Sequence, residues 1–167
     1  MKEHNFRTEV LPLSDKLFRL ALRITMVRED AEDMVQEALL RVWRTMQQGD
    51  EIDNVEAFAV TTCRNLCLDL IERQQHHDIT FDPAQHESLS SDPTPDEQME
   101  ADEKYESISR LIDQLPEKQR TAIQLRDIEG HSYCDIAQIM NISESDVKVN
   151  IHRARQTIKN ILKPLNP

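Results

Sequence analysis

The chain has only two glycines, a single tryptophan and 4% aromatic residues. With so little glycine and only weak strand patterning, tight hairpin turns have few places to form, which speaks against an all-β architecture. Cysteine is also scarce: Cys63, Cys67 and Cys134 form an odd set at no metal-ligand spacing. That excludes a disulfide framework and leaves them as buried small residues in a reducing, cytoplasmic compartment. No hydrophobic run approaches membrane-spanning length, and the opening MKEHNFRTEV lacks the apolar centre of a signal peptide, so no membrane insertion is expected. Positive charge is short as well, with 20 Lys and Arg against 31 Asp and Glu for a net charge of −11. Spread evenly, that balance would oppose nucleic-acid binding, because affinity grows with the number of phosphates neutralised.

What the chain does contain is helix-forming sequence. Leu, Ile, Met, Ala, Glu, Gln and Arg are abundant, and 167 residues accommodate two small domains. One apolar stripe is Leu17, Leu20, Ala21 and Ile24. A second is Ala31, Met34, Val35, Ala38, Leu39, Val42, Trp43 and Met46, and a third runs from Val55 through Phe58, Cys63, Leu66, Cys67 and Leu70 to Ile71. All have helical spacing and predict packed helices. Residues 77–104 are different: Pro83, Pro93 and Pro95 stand among acids and serines, a composition that cannot bury enough surface to order itself. Helical patterning resumes at Tyr105 and is broken at Pro116 and Gly130. The expected fold is therefore all-α, with two small helical bundles (residues 1–76 and 105–167) joined by a flexible acidic linker over residues 77–104.

Divided this way, the charge is uneven. Residues 1–76 carry 10 basic and 14 acidic side chains, residues 77–104 carry one and nine, and residues 105–167 carry nine and eight. Most of the acid is thus in the linker. Past Asp146 no acid remains, while Lys148, Arg153, Arg155, Lys159 and Lys163 follow. This basic stretch belongs to a segment that reads as two short helices around a tight turn. Asn141 ends the first helix, Ser143 offers an N-cap hydroxyl with Asp146 three residues on, and a second helix starts near Glu144. Val147, Ile151, Ala154, Ile158 and Leu162 form its packing face. Such a helix-turn-helix places its second helix in the major groove; a solvated helical hairpin is the other reading of the segment alone.

A further face has no packing explanation. Asp33, Gln36, Glu37 and Leu40 lie at i, i+3, i+4 and i+7, opposite the second apolar stripe. An exposed leucine in an acidic stripe suits a basic helical partner, and it also suits a plain solvated face.

The runs DAEDMVQEALLRVWR, RNLCLDLIER, LPEKQRTAIQLRDIEGHSYCDIAQIMNIS and DVKVNIHRAR, in this order around a variable tether, resemble bacterial RNA polymerase sigma factors of the sigma-70 family, extracytoplasmic-function (ECF) group. The resemblance covers nearly the whole chain outside the tether and termini. It implies a non-enzymatic, cofactor-free initiation factor with a region 2 domain and a region 4 domain. The first binds the β′ coiled coil of core polymerase and recognises and melts a −10 type promoter element; the second reads a −35 type element and meets the β flap. Carried over by position, Asp33, Gln36, Glu37 and Leu40 dock on polymerase. The break from Gln47 to Glu56 corresponds to the loop that captures a flipped base. Arg64, Asn65 and Arg73 face DNA, while Asp69 has a structural role. Ser145, Lys148, Val149, Asn150 and Arg153 enter the major groove, and Arg155 and Lys159 hold phosphates. Phe58, Val60 and Thr61 stand where family members commonly carry Trp, Tyr and Arg, which thins the contacts for melting. The resemblance also implies an anti-sigma protein that covers these surfaces.

Two other functions remain open on the residues alone. A stand-alone regulator would bind an operator as a dimer with symmetric half-sites. A metal-dependent hydrolase would use Glu32, Asp33 and Glu37, which lack a matching histidine pair.

Overall fold

Residues 5–77 and 99–163 are described by the computed structural model, and every regular element among them is helical. Two short turns of π and 3-10 helix, Phe6–Val10 and Leu11–Leu13, lead into α1 (Ser14–Thr25), α2 (Arg28–Gln47) and α3 (Val55–His77). The second half comprises α4 (Met99–Asp113), α5 (Glu117–Ile123) with a π-helical extension Gln124–Ile128, α6 (Tyr133–Met140) and α7 (Glu144–Leu162). The linker expected at residues 77–104 falls largely outside the described residues. Its last part, however, is helix: α4 begins at Met99, six residues before Tyr105.

In the first half, α1, α2 and α3 pack on one another through Leu17, Leu20, Ala21, Ile24, Ala31, Val35, Ala38, Val42, Ala59, Cys63 and Cys67, all buried. Two sequence expectations need correction. Trp43, placed in the core stripe, is 44% exposed, because Val42 beside it already occupies the inward position on α2. Cys134, taken as buried with the other two cysteines, is exposed at the start of α6, whose inward positions are Ile136, Ile139 and Met140. Cys63 and Cys67 are buried, and hydrogen bonding between them, followed by burial, pushes the Cys67 thiol up.

The helix-turn-helix forms as its residues dictate. Asn141 ends α6 in the left-handed region at φ 55°, and the backbone N–H of Ile142 donates to Ala137 O at 3.0 Å. Ser143 caps α7, its hydroxyl oxygen accepting from Asp146 N at 3.1 Å. Ser143→Ala is expected to cost about 1 kcal/mol of stability in urea unfolding, and Ser143→Asp is expected to cost almost nothing.

The hydrophobic core does not stop at the boundary between the halves. Ala122, Leu125, Ile136, Ile139, Met140, Val147 and Ile151 belong to the same buried cluster as the first-half residues, with α6 packed on α3 and α5 on α1. Ile112, Leu115, Ile123 and Ala154 form a smaller cluster of their own. At the edge of the shared core, Arg19 in α1 pairs bidentately with Glu129, at 2.8 and 3.1 Å. Burial alone would raise the Glu129 pKa; the Arg19 hydrogen bonds and the nearby positive charge of Lys16 outweigh it and hold the carboxyl below its ordinary value. A depressed carboxylate stabilises the fold above its unfolded pKa and loses that contribution as pH falls through the folded value. Stability is therefore expected to decline below about pH 4, and Glu129→Gln is expected to flatten that acid limb of the unfolding profile.

Candidate functional site

Three separate surfaces carry the residues of interest. On α2, Asp33, Gln36 and Leu40 are exposed and Glu37 is half-buried, forming one strip opposite the inward line Ala31, Val35, Ala38 and Val42. Leu40 is 46% exposed, and Trp43 extends the strip by one turn. Sequence reasoning missed Trp43 as a surface group, although its i+3 spacing from Leu40 was the signal. Two large apolar side chains side by side in an acidic strip form a patch of the kind that protein interfaces bury. Of the acids weighed as catalytic, Glu32 pairs with Arg28 at 3.1 Å and Glu37 with Arg41 at 3.4 Å, both along the helix surface.

On α3, Arg64 and Asn65 are neighbours, and Arg73 stands apart from them. Asn65 is exposed and opens into a cleft of about 340 Å³ lined by Arg41, Arg44, Thr45, Gln48, Phe58 and Thr62. The two arginines come from the end of α2 and were not foreseen; only the packing of α2 on α3 brings them beside Asn65. The connection between α2 and α3 is held by buried Ile52 and by Asn54, whose side chain accepts from Ala57 N at 3.0 Å to cap α3. Gly49 turns the chain out of α2 with φ +79°, a left-handed conformation that suits glycine. Arg73 is exposed two turns further on, with Nε 3.4 Å from Asp69 O. Arg64 is only 9% exposed. Burial pushes its pKa down, partly offset by the charge of Glu117 on α5, and its Nε has no hydrogen-bond partner among the described residues. Its Nη1 donates to Asn65 Oδ1 at 3.4 Å, so the two side chains stand together.

On α7, Ser145, Lys148, Val149 and Arg153 are exposed along one side together with Gln156, and His152, which sequence reasoning did not select, stands among them. Spacing of i+4 from Lys148 to His152 to Gln156 was the available signal. Asn150 lies about 140° around the helix from Ser145, beside the packing face, and its amide donates to Asp146 O at 2.8 Å. Lys148 lies over the Tyr133 ring at 5.7 Å, and Arg126 over the same ring at 4.3 Å, which gathers two cations at the start of α6. Arg155 is held by Asp127, Nε to Oδ2 at 3.1 Å, so it ties α7 to the extension of α5. Lys159 and Lys163 instead border an apolar groove of about 830 Å³ between α4, α5 and α7, lined by Ile108, Ile112, Ile158 and Leu162.

Residues 10–77 match the family model described as Sigma-70 region 2, and residues 105–158 the one described as Sigma-70, region 4. The chain is 32% identical over 164 residues to the RNA polymerase sigma-H factor of Pseudomonas aeruginosa, covering 93% of this chain and 85% of that one. It is 32% identical over 144 residues to the ECF RNA polymerase sigma-E factor of Escherichia coli K12, covering 81% and 75%. Among solved structures it resembles the sigma factor RpoE in complex with the anti-sigma factor NepR from Bartonella quintana. The TM-score there is 0.72 at 25% identity, over 95% of this chain and 96% of that one. The chain therefore belongs to the sigma-70 family of RNA polymerase sigma factors, in its extracytoplasmic-function group, and directs promoter-specific initiation of transcription.

Proposed function

We propose that this sigma factor divides its work among the three surfaces. The α2 strip of Asp33, Gln36, Glu37 and Leu40, extended by Trp43, docks on the β′ coiled coil of core polymerase. The observation that carries this is the exposed Leu40–Trp43 pair within an acidic strip. Desolvating a leucine and a tryptophan against a basic helix supplies affinity, and the acids supply orientation. The apolar groove bordered by Lys159 and Lys163 suits a helix of the β flap.

The cleft at Asn65 is suited to single-stranded DNA of the −10 type element. Phe58 provides a stacking face, Asn65 an amide for a base edge, and Arg41 and Arg44 charge for phosphates. The exposed side of α7 reads the −35 type element: Arg153 is placed for a guanine edge, with Ser145, Lys148 and Val149 around it and Arg126 beside Lys148 for the backbone. Asn150 and Arg155 serve the fold first, through Asp146 and Asp127, and reach DNA only on leaving those partners. An anti-sigma protein controls access to these surfaces, by analogy with the matched complex. No step here is enzymatic, and the factor works in the cytoplasm, where polymerase and promoters are.

Run-off transcription with purified core polymerase tests this reading. Defined-start transcripts are expected from a subset of genomic fragments only when the protein is added; no change on addition would overturn it.

A further inference from the structure

Three exposed side chains of different chemistry share one line on α7. Asp146, Val149 and Arg153 lie at i, i+3 and i+7, turned away from the packing residues Val147, Ile151 and Ala154. Val149 is 42% exposed among polar neighbours. The Asp146 carboxylate and the Arg153 guanidinium make no ion pair or hydrogen bond among the described residues, whereas Lys148 is drawn to the Tyr133 ring and Arg155 to Asp127. Asn150 stands between the two charges and turns its amide back to Asp146 O at 2.8 Å.

Asp146 is the least expected of the three. An anion at the head of a helix that meets DNA repels phosphate, so its presence calls for a compensating role. Capping does not supply one. Ser143 Oγ accepts from Asp146 N at 3.1 Å, but the Asp146 carboxylate returns no bond to Ser143, and Glu144 in the same turn already provides negative charge for the helix dipole. Base recognition does supply one. Cytosine is the base whose major-groove edge presents a donor, its N4 amino group, with no acceptor beside it. Guanine presents two acceptors, adenine an acceptor next to its amino group, and thymine an acceptor and a methyl. A carboxylate is satisfied by the first and meets an opposing acceptor on each of the others.

We infer that Asp146 is a specificity-determining residue for the upstream promoter element, accepting from a cytosine N4 amino group, and that α7 reads cytosine, thymine and guanine through Asp146, Val149 and Arg153 in turn. Val149 packs on the thymine methyl. The inference rests on the assignment of α7 to the upstream element made above. The seven residues from Asp146 to Arg153 rise about 10 Å, and base pairs are stacked about 3.4 Å apart, so the cytosine and guanine stand about three base pairs apart with the thymine between them.

The test is run-off transcription by the holoenzyme on a barcoded template library randomised over the upstream element. The wild type is expected to favour cytosine by about tenfold at one position, about three base pairs from a guanine position whose preference disappears in Arg153→Ala. Asp146→Ala is expected to flatten the cytosine position to within about twofold and to raise initiation on templates that lack cytosine there. Asp146→Asn is expected to move the preference at that position to adenine, which asparagine reads through N6 and N7. Val149→Ser is expected to flatten the thymine position alone. A wild-type library with no cytosine position, or a cytosine preference unchanged in both Asp146 variants, overturns the inference. So does an equal loss on every template together with a lowered midpoint in urea, which makes Asp146 a capping residue only. A library with no preference that depends on Arg153 removes the assignment of α7 itself, and that result is distinct from a failure at Asp146 alone.

Discussion

Replacing Leu40 and Trp43 together with alanine is expected to weaken capture of core polymerase by about 100-fold, from roughly 1.4 kcal/mol at each of two neighbouring apolar anchors. Neither side chain supports the core, since each is more than two-fifths exposed on α2 while Val42 and Ala38 hold the helix in place. Helicity and unfolding midpoint should therefore stay within about 0.5 kcal/mol of wild type. Gln36→Ala is expected to add a smaller loss, and Asp33→Asn to slow association mainly at low salt, where exposed charges act over longer range. Capture is read by co-migration with core polymerase on size exclusion. Unchanged co-migration of the double variant would remove α2 as the docking face.

The second large effect is expected from Arg153→Ala, at about 1–3 kcal/mol, or a 5- to 150-fold loss of initiation on promoters with an intact upstream element. Arg153 is exposed beyond the packing line Val147, Ile151 and Ala154, so its loss leaves the fold intact. The loss should be confined to templates that carry the upstream element. Lys148→Ala, by contrast, is expected to weaken binding on all sequences and to reduce the salt slope by about one. Equal loss for Arg153→Ala on templates with and without the upstream element would make it a phosphate contact rather than a base reader.

Much of this was legible in the chain. The α7 cap at Ser143, the left-handed Asn141 and the inward line from Val147 to Ala154 each follow from local chemistry, where three or four neighbouring residues decide the outcome. Leu40 could be placed outside because an apolar residue out of phase with a regular stripe has nowhere to pack. Trp43 was misplaced for a related reason: at a stripe spaced alternately by three and one, Val42 and Trp43 both satisfy helical periodicity, and only the neighbouring helix decides which points in. The start of α4 at Met99 was hidden because acidic residues mark both linkers and helix N-termini.

Long-range features could not be read in this way. Arg41 and Arg44 reach the Asn65 cleft through the crossing of α2 and α3, and no spacing within either helix announces it. Arg64, in an R-N-x-x-x-D segment, carries every local mark of an exposed DNA contact, yet it is only 9% exposed and feels the charge of Glu117 on α5. Nothing in the local sequence singles out Arg23 or Arg120; the partners of Arg23 lie 86 to 101 residues away, and Arg120 reaches carbonyls 96 and 97 residues away across the boundary. A net charge of −11 opposes DNA binding by the isolated chain, while the basic side of α7 acts locally the other way.

That balance of charge makes one measurement the most direct: a gel shift on a responsive promoter at physiological salt, with the factor alone, core polymerase alone, and both. A sequence-specific complex is expected only when both are present. A tight complex formed by the factor alone, as a dimer on symmetric half-sites and indifferent to polymerase, would contradict the account.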